Sequence, residues 1–125
     1  MSHLIQRICS HFEWTYAADH VVVPLPAGRH QKVFFEVSEQ DGEEMLRLHT
    51  LIGEAAMLNE PRMRAALRLN YQMRFGAFAI RKEQLALVDT FLLREADRDE
   101  VMASMKYLAE TADYYEDHIF GTDEH

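Results

Sequence analysis

The chain has 125 residues, a formal net charge of −8 and a single cysteine, Cys9. That length fits one domain, residues 1–125, with a core large enough to fold without a disulfide or a metal, and a lone cysteine excludes an internal disulfide. Overall acidity disfavours general nucleic-acid binding, no apolar run approaches the roughly 20 residues of a membrane span, and residues 1–16 are too polar for a signal peptide. With no targeting segment, the expected location is the cytoplasm.

Ser2 is a helix-capping residue, and Leu4, Ile8 and Phe12 recur every four positions beside Ile5 and Cys9, which predicts a first helix ending near Glu13. Residues 14–18 suit either a last turn or a short extended piece. Residues 20–25 are β-branched and run into Pro24 and Pro26, as an edge or exiting strand does. Gly28 follows in a turn. Residues 31–38 alternate, with Val33, Phe35 and Val37 on one face and Phe34 on the other. Asp41 and Gly42 predict a type I′ hairpin, and the return strand over 44–52 carries Leu46, Leu48 and Ile52 on one side before Gly53 ends it.

Asn59 and Pro61 open a second helix, in which Met63, Ala66, Leu67 and Tyr71 follow helical spacing beside the basic pair Arg64 and Arg68. Gly76 closes that unit. Residues 77–80, a turn at 81–84 and residues 85–93 form a second hairpin. Leu85, Leu87 and Phe91 share one face with Asp89, yet Ala86, Val88 and Leu92 make the other face apolar too, so this strand is central or covered from outside. Asp97 and Glu100 form a capping box for a last helix with Val101, Met105, Leu108, Ala112 and Ile119 on one stripe. Residues 121–125 read as a mobile tail. The fold class is therefore α+β: helix, three strands, helix, two strands, helix, with an antiparallel sheet and the helices mainly on one face.

Charge is polarised along this order. Residues 94–125 hold ten acidic and three basic side chains, whereas residues 58–82 hold six basic side chains against Glu60 alone. The basic row is Arg62, Arg64, Arg68, Arg74, Arg81 and Lys82.

Several short pieces in this order resemble the type III secretion chaperone-like family, in particular its YbjN-type branch. They are Gly28 and Arg29 with Gln31 and Val33; Ile52 and Gly53; Leu69-Asn70 leading to Phe75-Gly76-Ala77-Phe78-Ala79; Asp97-Arg98-Asp99-Glu100; and Leu108-Ala109-Glu110-Thr111-Ala112-Asp113. The likeness spans about residues 20–116. It implies a class I chaperone fold and a small, acidic, usually dimeric protein without cofactors. The secretion chaperones of this group bind unfolded segments of secreted proteins, whereas the YbjN-type branch implies no agreed biochemical activity.

The residues themselves carry no strong catalytic signature. The seven histidines lack metal-ligand spacing, and no GxSxG, Walker A or GxGxxG occurs, so no catalytic set, metal site or cofactor is expected. Cys9 reads as a small core residue. The leading expectation is a non-enzymatic, protein-binding homodimer. Its partner-binding residues would be Phe34, Met45, Arg47 and His49 on the outer sheet face, with an edge strand open to β-addition. Its dimer interface would comprise Arg64, Arg68, Leu85, Leu87, Asp89 and Phe91. Two alternatives stay open: a small enzyme using Asp89 with a histidine brought near by folding, and an RNA-binding module using the basic row of residues 62–82. Without such a role, Asp89 is expected to pair with a basic side chain such as Arg68 or Arg74, or to be partly exposed.

Overall fold

The computed structural model describes residues 2–12 and 14–120, and the side chains of residues 4–10 and 14–118. The expected Ser2 cap, helix end at Glu13, Ile119 side chain and tail at 121–125 lie outside them. The elements are α1 (Ser2–Phe12), β1 (Thr15–Tyr16), β2 (His20–Pro24), β3 (His30–Gln40), β4 (Glu43–Glu54), α2 (Glu60–Asn70), β5 (Ala77–Arg81), β6 (Gln84–Leu92) and α3 (Arg98–Tyr115). α3 runs on as a π-helical turn, Glu116–Phe120. The expected order holds with one addition: residues 15 and 16 form β1, a short extra strand beside β2.

The six strands make one antiparallel sheet in the order β1-β2-β3-β4-β6-β5. Asp41 (φ 53°) and Gly42 (φ 82°) both take the left-handed conformation that a two-residue hairpin of right-handed twist requires. Lys82 (φ 48°) and Glu83 (φ 68°) do the same at the second hairpin, without a glycine. β4 does not stop at Gly53; it passes through an irregularity between Leu51 and Gly53 and ends at Glu54, as a bulge permits.

The core lies on one side of the sheet. Val21, Val33, Leu46, Leu48 and Leu87 point into it, and Ile5 and Ile8 of α1 join Val101, Met105, Leu108 and Ala112 of α3 against them. Val37 shares that face by alternation but is 41% exposed. At the helix starts, Asn59 Oδ1 accepts from the Arg62 N–H at 3.0 Å, and the Asp97 carboxylate accepts from Asp99 N–H and Glu100 N–H, both at 3.1 Å. Among the described residues no helix is long and apolar enough to cross a membrane.

Polar clamps tie distant parts together. Arg29 donates to both oxygens of Asp113 in α3, at 3.0 and 2.6 Å, in the bidentate geometry that fixes orientation best. The fully buried Thr50 hydroxyl donates to the Lys32 carbonyl at 2.7 Å and accepts from Gln31 Nε2 at 2.7 Å. Asn70, the last residue of α2, accepts from Phe78 N–H at 2.6 Å and donates to Phe78 C=O at 3.3 Å. Its amide thus stands in for a neighbouring strand along the outer edge of β5. Arg29, Gln31, Asn70 and Asp113 all belong to the pieces that carry the family resemblance. Their work in this chain is to assemble the fold.

Candidate functional site

The face of the sheet turned away from the core carries a row of rings. Strand register sets His20 opposite Phe34, Phe34 opposite His49, and His49 opposite Val88, which in turn pairs with Ala77. The Phe34 and His49 rings stack with centroids 5.0 Å apart and planes 12° apart, and His20 leans on the other side of Phe34 at 5.5 Å. Phe34, Met45, Leu51, Val88 and Leu92 are each partly exposed here, and none of them packs against the core. Paired side chains across the strands, Met45 with Leu92 and Arg47 with Thr90, extend the same surface. The result is an apolar, aromatic strip with charged Glu36 and Arg47 beside it, a composition suited to contact with another protein.

His49 is the tightest point of the strip. It is 5% exposed, and its Nδ1 has no hydrogen-bond partner. Burial, and then the positive charge of Arg81, hold its pKa below the ordinary histidine value of 6.5. The sign follows from linkage: above about pH 6.5 both folded and unfolded chains carry a neutral imidazole, and the contribution of the buried ring is complete. As pH falls below that value the unfolded chain takes up the proton first, so stability is lost. His49→Gln is expected to flatten this acid-side loss between pH 7 and the depressed folded pKa, measured by urea unfolding at a series of pH values. An unchanged pH profile would show that His49 does not titrate differently in the two states.

His20 was absent from the expected site. The signal for it is the pairing of β2 with β3, which sequence alone does not align. His20 Nδ1 lies 2.8 Å from Asp19 Oδ1, and that hydrogen bond lowers the Asp19 pKa.

The interface expected on the last strand needs correction. Leu85 (4% exposed) and Leu87 (0%) are sealed inside the core, and Phe91 packs against it. Asp89 lies on that inner face as well, where it accepts from the buried Ser104 hydroxyl of α3 at 2.6 Å and from Thr90 N–H at 3.0 Å. Ser104, rather than Arg68 or Arg74, is its partner. Leu85 and Leu87 have no open surface for a second copy, because α3 occupies their side, while Asp89, as the sequence allowed, and Phe91 are partly exposed. Nor does folding bring Asp89 to the sheet's histidines: His20 and His49 point to the opposite face.

The second helix shows the reverse surprise. Met63, Ala66, Leu67 and Tyr71 follow helical spacing but do not share one environment. Only Ala66 is buried, while Met63, Leu67 and Tyr71, four residues apart, face outward at 37, 68 and 93% exposure. Arg64, which pairs with Glu60 at 2.9 Å, and Arg68 flank this apolar stripe. The remaining members of the basic row beyond α2 sit elsewhere: Arg74 in the loop before β5, and Arg81 and Lys82 at the β5–β6 turn.

The sheet edges are not open in the way expected. Asn70 occupies the edge of β5 at Phe78, and β1 offers two residues only. Among the described residues, no group of three or more His, Cys, Asp or Glu side chains converges as metal ligands would. Cys9 is buried in the core, and burial raises its pKa.

The chain is similar in structure to a protein chain in the crystal structure of the ExsC–ExsE complex. The two share 14% sequence identity with a TM-score of 0.64, over 91% of this chain and 89% of that one. This likeness shows the type III secretion chaperone-like fold that the resemblance implied. A comparison with curated proteins finds no match. The model of the YbjN family, described as "Putative bacterial sensory transduction regulator", matches residues 3–121. The match runs from α1 to the end of α3, and the chain belongs to the YbjN family.

Proposed function

We propose that this chain is a non-enzymatic, chaperone-like protein-binding module that works as a homodimer in the cytoplasm. The observation that carries this reading is the uncovered sheet face around the Phe34–His49 stack, which no helix of the described chain packs against. Phe34, Met45 and Arg47 would receive an extended or helical segment of another protein, with the buried His49 ring supporting Phe34 from beside it. That segment would lie across the face rather than add to an edge, because Asn70 guards β5. The structural relative is itself determined as a complex of two proteins, which supports this kind of role. The homodimer would form through α2, where Leu67, Met63 and Tyr71 lie bare beside Arg64 and Arg68.

Phe34→Ser tests the binding face. Protein partners recovered with the native chain from its own cells should be lost with the variant, while the thermal midpoint stays within a few degrees. A collapse in stability would mean that Phe34 supports the fold, and this face would then be abandoned. Leu67→Glu tests the dimer by sedimentation: the native chain should be dimeric at on the order of tens of micromolar, typical of modest interfaces, and the variant monomeric. A monomeric native chain would remove the dimer and leave the binding face standing.

A further inference from the structure

On the helix-bearing side, remote from the outer sheet face, lies a cleft of about 440 Å³. It is bounded by Trp14 after α1, the end of β2 at Val23 and Pro24, the loop before β5 and the middle of α3. Its volume falls in the range of small-molecule sites, roughly 300–1,000 Å³. Three rings line it: Trp14, Phe75 and Tyr107, the last two meeting edge to face at 5.6 Å. Two cations, Arg74 and Lys106, line it as well, and neither has an ion-pair partner among the described residues. Glu110, one helical turn beyond Lys106, is the single carboxylate among the described residues of the wall. Among those residues, two positive groups against one negative group leave one positive charge in excess.

The hydrogen bonding adds a direction. Tyr107 Oη accepts from the Arg74 backbone N–H at 3.2 Å. Its own O–H proton is therefore left to donate to something else in the cleft. The Arg74 guanidinium rests on the Phe75 ring at 5.7 Å, a cation–π contact that favours its placement at the cleft's solvent-exposed rim.

We infer that this cleft binds a small aromatic monocarboxylic acid. The ring of the ligand stacks among Trp14, Phe75 and Tyr107. Its carboxylate accepts from Arg74, Lys106 and the Tyr107 hydroxyl, in charge-assisted hydrogen bonds that neutral donors would not match. Glu110 disfavours a dianion. Neither the partner-binding face nor the α2 stripe contributes to this site, so it would stand if the proposed function fell.

Trp14 is the only tryptophan of the chain, so its fluorescence reports on the cleft alone. The probe is 4-phenylbutyrate, with the neutral 4-phenylbutyramide as its isostere. The acid is expected to shift Trp14 emission saturably, and the amide to bind at least about ten-fold more weakly, as the loss of a charge-assisted contact predicts. Lys106→Met, which keeps the apolar stem, and Arg74→Gln should each weaken the acid by a similar factor and leave the amide unaffected. Both side chains are exposed, so the variants should fold, and Phe34→Ser should bind the acid normally. No saturable shift at millimolar acid, equal affinity for acid and amide, or indifference to both substitutions would overturn the site. So would binding of an acidic peptide at the cleft without any binding of the free acid.

Discussion

Gly76→Ala is expected to destabilise the protein by about 3 kcal/mol, among the largest effects available to a single methyl group in this chain. Gly76 has φ of +67°, a conformation that costs an alanine about 1–2 kcal/mol. The added Cβ would also lie 2.4 Å from the Val88 carbonyl oxygen and 3.3 Å from Asp89 Cβ. That oxygen is backbone of β6 and cannot rotate away, so β5 would have to move from the strand it pairs with. Moving it would strain the Asn70 clamp two residues later and the pairing of Ala77 with Val88. Gly42→Ala is the control: φ is +82° but no atom lies within 4 Å of the new Cβ. It should cost only about 1 kcal/mol, since the backbone penalty is partly offset by a less flexible unfolded chain. Urea unfolding of the two variants side by side decides the matter. Equal midpoints would mean that Gly76 does not approach β6 this closely.

Leu87→Ala should cost about 2–5 kcal/mol, the range for emptying a fully buried leucine site. Its neighbour Val88 points to the other face and is partly exposed, so Val88→Ala should cost about 1 kcal/mol. The two residues differ in burial because α3 covers one face of β6 only. If Leu87 instead served a subunit interface, its truncation would change how the unfolding midpoint depends on protein concentration. The expected loss is the same at every concentration. A loss confined to dilute protein would return Leu87 to an interface.

The two changes bear on what the family-like residues do. Gly76 allows β5 to close on β6, Asn70 shields the edge of β5, and Arg29 reaches Asp113 across 84 positions of sequence. None of them converges on a reacting centre. Each instead solves a problem of assembly in this chain. The aromatic strip of the outer sheet face, by contrast, is built on Phe34, Met45 and His49, which lie outside those pieces.

Local physics is legible in the amino-acid sequence alone. Alternation of apolar and polar residues needs only the two-residue period of a strand, so β3, β4 and their opposed faces follow from residues 31–52. Asp41 and Gly42 set the hairpin, and Asp97 sets the start of α3, because turns and caps are decided within four residues. The same local rule separates Phe34 from Phe35, and Leu87 from Val88. It does not say which member of each pair lies inside. That choice is made by α3, whose Val101–Ala112 stripe can seal one face of the sheet, and it seals the face with Leu87, Asp89 and Phe91. The apolar spacing of α2 is equally ambiguous: Ala66 goes inward, and Met63, Leu67 and Tyr71, larger and more apolar, stay outside. Hydrophobicity ranks residues for burial but does not choose the side from which a neighbour arrives. The partners of Asp89, Asn70 and Arg29 are hidden for a related reason: a polar side chain is satisfied by whatever the packed fold places within about 3 Å, and only long-range packing decides what that is.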